Sequence, residues 1–216
     1  MNNPNIYTIK LNAKYLEKWI HYIFIAVLIN SFFDYFSNFS FNYGYKSIGY
    51  ALYSFRICAN LLIVYFFLKL AVIEPLFSKA ALFLFLHILI GGTISLIPEN
   101  KLSKYSLSIL LMFLIIPYIL NIYTEYLEYR GFTNLLKGLN DPLAKRWKTY
   151  WYTFLIANIL LVIITGISAV YTNNSQDQAI FLSTWLLIIS LFIIFCFIYK
   201  LVNLNKIAKF FGNMEI

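Results

Sequence analysis

Six apolar runs, each near the length that crosses a bilayer, decide what this chain can fold into. They cover about Trp19–Phe36, Ser47–Ile73, Ala80–Ile97, Tyr105–Tyr123, Tyr150–Tyr171 and Ala179–Tyr199. A helix rising about 1.5 Å per residue needs about 20 residues to cross a hydrocarbon layer about 30 Å thick. The third run is short and contains His87, Gly91 and Gly92. No run alternates polar and apolar residues as a barrel strand does. The pattern predicts an all-α, polytopic membrane helix bundle of about six transmembrane helices, forming a single transmembrane domain over residues 1–216.

Charge density agrees. Charged residues make up 12% of the chain, against about 25% in a soluble domain, too few to cover a water-facing surface. Tyrosines cluster near the ends of the runs, among them Tyr15, Tyr22, Tyr35, Tyr43, Tyr45, Tyr118, Tyr123, Tyr150, Tyr152, Tyr171 and Tyr199. An apolar ring with a polar tip suits the lipid–water boundary, so these read as an aromatic belt.

The formal charge is +8. On a soluble protein that would raise nucleic acid as a partner; beside apolar runs it sets orientation instead. With the N-terminus inside, 13 of the 17 Lys and Arg fall on inner segments, three (Lys46, Lys101, Lys104) on outer ones and Arg56 within a run. Both termini are therefore expected on the cytoplasmic side, most simply of the plasma (inner) membrane, with the cations meeting anionic lipid headgroups.

Between the fourth and fifth runs lies a longer segment, 121–149. It reads as a cytoplasmic helical hairpin, with Gly131 as a left-handed helix stop and Asp141-Pro142 opening the next helix. Glu128, Arg130, Lys145, Arg146 and Lys148 would then face water and offer a surface to a protein partner or a second copy. Both tails read as amphipathic helices on the inner leaflet, the first through Lys10, Lys14 and Lys18 at spacings of four.

Polar residues inside the runs are the site candidates, because a mid-membrane charge costs roughly 2.5–3.5 kcal/mol on insertion scales. Tyr53, Arg56 and Asn60 fall on one face of the second helix, and Asp34 on the first is placed to pair with Arg56. Two roles fit this stripe: an anion site or water-filled path, or a structural arginine satisfied by Asp34. His87 sits at mid-run; its only companion, His21, lies at a different depth, which argues against haem, and no further ligands suggest a metal. Hydrogen bonding to a neighbour is its expected role. Asn30, Asn60 and Asn158 read as interhelical hydrogen-bonding groups. Gly91 with Ser95 and Thr165 with Ala169 form small-xxx-small pairs for close helix packing, and Pro117 marks a bend or hinge. Cys58 and Cys196 read as buried thiols.

No nucleotide, hydrolase or metalloprotease motif occurs, and no carboxylate falls deep in a run. The expectation is a non-enzyme without cofactor: an oligomeric or partner-binding membrane subunit, or alternatively a small transporter or channel with a polar path around Arg56 and His87.

Overall fold

The computed structural model describes residues 6–95, 107–171 and 176–214, with side chains described over 6–93, 115–167 and 183–214. Seven helices account for nearly all of it: α1 (Ile6–Leu11), α2 (Ala13–Asn42), α3 (Lys46–Leu70), α4 (Leu76–Ser95), α5 (Leu107–Leu136), α6 (Asp141–Tyr171) and α7 (Gln176–Gly212). Helix is the form in which a segment satisfies its own backbone in lipid. Stretches of α2, α3, α4, α6 and α7 are long and apolar enough to cross a membrane, five within the described residues. The chain is thus a helical membrane bundle, and α5 carries the remaining run, the fourth along the sequence.

Short turns at 43–45, 71–75 and 137–140 make the helices they join antiparallel. Each long helix packs on the next, and α7 closes on α2, giving a ring. One end, called here the terminal end, gathers α1, the start of α2, the turns at 71–75 and 137–140 and the end of α7. There Lys14 Nζ donates to Gly212 O at 2.6 Å, and Tyr15 Oη to Lys69 O at 3.0 Å. The other end is called the far end.

The helices outrun the bilayer. Thirty residues make a rod about 45 Å long; α5, α6 and α7 extend beyond their apolar runs chiefly at the terminal end, whereas α2 extends by 13–18 there and by 37–42 at the other end. The tightest core lies in the excess at the terminal end. Leu16, Phe77, Phe132, Leu135, Leu136, Trp147, Leu204, Ile207 and Phe211 are fully buried, and all fall outside the six apolar runs. Rings connect the helices there: Phe67 to Phe77 (5.7 Å between centroids), Phe77 to Phe132 (4.9 Å) and Phe132 to Trp147 (4.6 Å), and within α6 the chain of rings runs on from Trp147 to Tyr150 (5.5 Å).

The helical hairpin over 121–149 forms, with its turn at 137–140, but it does not stand free. Segment 121–149 is not a free elbow in water; its apolar side forms a wall of the terminal core. Gly131 does not stop a helix: α5 runs through it to Leu136. A Cβ at Gly131 would lie 2.9 Å from the Phe77 ring, so the glycine is there for close packing. Gly138, at φ 76°, makes the left-handed turn. Asn140 caps α6 by accepting from Leu143 N–H at 3.1 Å, while Asp141 accepts from Gly138 N–H at 2.9 Å. The C-terminal tail is the continuous end of α7, with Ile207 and Phe211 turned into the core.

Candidate functional site

Two polar groupings stand out, one toward each end of the ring. At the far end, Tyr53, Arg56 and Asn60 share the α3 face that continues into buried Ile63 and Phe67, so the stripe faces into the bundle. Arg56 Nη1 lies 2.9 Å from Asp34 Oδ1, and its guanidinium sits over the Tyr53 ring at 5.6 Å. The pair remains accessible, at 31% and 41% of side-chain area. Across from it on α4, His87 Nδ1 is 2.9 Å from Pro117 O of α5. A carbonyl only accepts, so Nδ1 carries the proton and Nε2 is the ring atom able to accept from a ligand. Helix α5 continues without a break through Pro117.

Between α3 and α4 these side chains line a cavity of about 220 Å³, bordered by Tyr53, Arg56, Asn60, His87, Gly91 and Gly92. Gly91 is corrected here. A Cβ built on it meets nothing within 4 Å, so it faces open space rather than a helix contact. Asn60 has no hydrogen-bond partner among the described residues. Asn158 does: Tyr118 Oη donates to its Oδ1 at 3.0 Å, tying α5 to α6. Thr165 is exposed, and the side chains of Ser95 and Ala169 lie outside those described. Cys58 is exposed and Cys196 buried.

The second grouping is at the inner edge of the terminal core. Lys200 Nζ on α7 reaches Glu125 Oε1 at 2.7 Å, Glu125 Oε2 at 2.9 Å and Glu128 Oε2 at 2.8 Å on α5. From α6, Tyr150 Oη donates to Glu125 Oε2 at 2.7 Å. Glu128 is the largest correction to the sequence reading: it is not a docking residue in water but 2% exposed. Arg130 is half-buried beside Tyr126, whereas Lys145, Arg146 and Lys148 are exposed as expected.

Two carboxylates and one ammonium leave one negative charge in excess. Burial, offset in part by Lys200 and reinforced by Glu125, pushes the Glu128 carboxyl up to about 7. Protonating Glu128 makes the triad neutral; its Oε1, which has no partner among the described residues, is free to carry the proton. No group of three or more His, Cys, Asp or Glu able to hold a metal occurs among the described residues.

The triad was missed because its members are 72 and 75 residues apart. A signal existed: Lys200 falls on the stripe Cys196, Lys200, Leu204, Ile207, which is otherwise apolar and buried. A cation on such a stripe needs a partner inside.

No family model, curated protein or solved structure matches this chain. Fold and side chains together define a polytopic helical membrane protein with a polar cavity toward one end of the ring and a buried ion triad near the other.

Proposed function

We propose that this protein is a small membrane carrier whose solute, an anion, binds in the Arg56 cavity. One observation carries the reading: the ring is polar and accessible at its far end, and cored and locked by charge at its terminal end. A carrier needs two gates of which only one is open at a time. The accessible Arg56–Asp34 pair is a weak link that an anion displaces by competing for the guanidinium. Lys200 with Glu125 and Glu128 is the closed gate opposite.

The competing reading, an oligomeric or partner-binding subunit, drew on segment 121–149 as a free surface. With that segment folded inward, Lys145, Arg146 and Lys148 are left as an exposed basic strip suited to anionic lipid heads. No catalytic step is assigned to any residue.

The test is charge displacement by proteoliposomes on a solid-supported membrane, challenged with straight-chain carboxylates from acetate to decanoate. Transient currents are expected for at least one member, lost in Arg56→Leu and partly kept in Arg56→Lys. Absence of current across the whole series, or currents indifferent to Arg56→Leu, would overturn the carrier.

A further inference from the structure

The Arg56 cavity has an apolar neighbour. A groove of about 560 Å³ runs along the outer side of the α3–α4 seam, past Leu61, Phe85 and Leu89. Tyr53, Ile57, Ile88 and Gly92 border both spaces, so they are two sides of one cleft. The partition is thin where Gly92 stands, since a Cβ there meets nothing within 4 Å. Leu61, Phe85 and Leu89 are exposed on the surface that faces lipid. One seam thus offers a guanidinium, an amide and an imidazole on its inner side and an oily channel on its outer side.

We infer that the solute is a single-chain amphiphile with an anionic head, taken sideways from the bilayer through the α3–α4 seam. This rests on the carrier reading and narrows its substrate class. Size favours it. The polar cavity alone is below the range of roughly 300–1,000 Å³ usual for small-molecule sites, and the groove lies within it. The cavity suits a head group and the groove a tail.

The physics of the route favours it too. A water-soluble anion has no use for an apolar groove beside its binding charge. For an alkyl chain the groove is equivalent to the lipid it leaves, so the tail moves without meeting water while the head slides to Arg56. There the head accepts from the guanidinium and from the Asn60 amide. A head that also bears a proton, as a carboxylic acid or an acid phosphate does, donates to His87 Nε2.

The experiment uses the full chain in nanodiscs of zwitterionic lipid, with binding of radiolabelled laurate read against empty discs. Butyrate, dodecyl phosphate and uncharged dodecyl maltoside serve as competitors. Laurate is expected to bind and to be displaced by dodecyl phosphate, but not by butyrate or the maltoside. Affinity should fall at least tenfold in Arg56→Gln and in Leu61→Trp, which fills the groove on a lipid-facing position that folding tolerates. Leu89→Trp gives a second groove filling should the first not fold.

Displacement by butyrate, with Leu61→Trp and Leu89→Trp both silent, would overturn the amphiphile and leave the carrier of small anions standing. Laurate binding that ignores Arg56→Gln, with no Arg56-dependent current from any short carboxylate, would remove both. Displacement by dodecyl maltoside as readily as by dodecyl phosphate would show a chain bound without regard to its charge and would overturn the anionic head.

Discussion

The terminal third of the bundle and its far end are built by different forces. At the terminal end helices leave the bilayer, and burial away from water drives them together. Trp147, Phe132 and Phe77 pack there as in a soluble core, and Gly131 lets α4 and α5 touch. In lipid that drive is absent, because a leucine is no better off against a helix than against a tail. Toward the far end α2 still packs closely on α3, where the Phe41 ring sits against Gly49, and Arg56–Asp34 and His87–Pro117 add polar links, but room is left between α3 and α4. A membrane protein can thus take its stability from the part outside the membrane and keep the spanning part loose enough to admit a ligand.

Four measurements would break or sharpen this contrast, all by thermal unfolding of the full chain in mild detergent. The largest effect is expected for Lys200→Met, which strands the Glu125 carboxylate and the Glu128 carboxyl beside an apolar core. Breaking a buried pair this way costs about 3–5 kcal/mol, and adding Glu125→Gln and Glu128→Leu to the same protein should recover most of it. A loss under about 1 kcal/mol would mean that water reaches the triad and the terminal end is not sealed.

Next is pH. Native Glu128 holds its proton up to about 7, whereas its ordinary value is 4.5. A raised carboxyl makes the native state bind protons more tightly than the unfolded one, so stability is fullest below pH 4.5 and declines as pH rises through about 7. The expected span is a few kcal/mol, and Glu128→Gln should flatten the profile over that window. A wild-type midpoint that rises through the same window would contradict the assigned sign.

The glycines give the third comparison. Gly131→Ala drives a methyl group into the Phe77 ring and should cost about 1–3 kcal/mol. Gly91→Ala meets open space and should be neutral or raise stability by up to about 1 kcal/mol through helix propensity. Equal losses at both positions would show the α3–α4 seam to be as tightly packed as the core. The smallest effect belongs to Arg56→Leu: its pair is partly accessible, so stability should change by less than about 1 kcal/mol even where transport is lost.

How much of this could be read in the residues follows the same divide. Run length and hydropathy located the six long helices, since lipid leaves a segment few alternatives. The Arg56–Asp34 pair was legible because a lone cation in a run demands a partner and the neighbouring run supplies one. The terminal core was not legible. Phe132, Leu135 and Trp147 sit among lysines and glutamates, and their pattern suits a surface hairpin until α1, α4 and α7 are placed against them. Gly131 shows the ambiguity at a single residue: a helix-ending glycine and one that admits a neighbour's ring look alike when the ring lies 54 positions away, at Phe77.

The closure of α7 on α2 has a consequence for how the molecule is made. During synthesis α2 is made well before α7, so the flank that α7 covers stays bare until α7 follows. Until then the helices form an open row rather than a ring. The ring thus has a late clasp: an open edge along α2 that closes only once α7 has been threaded beside it.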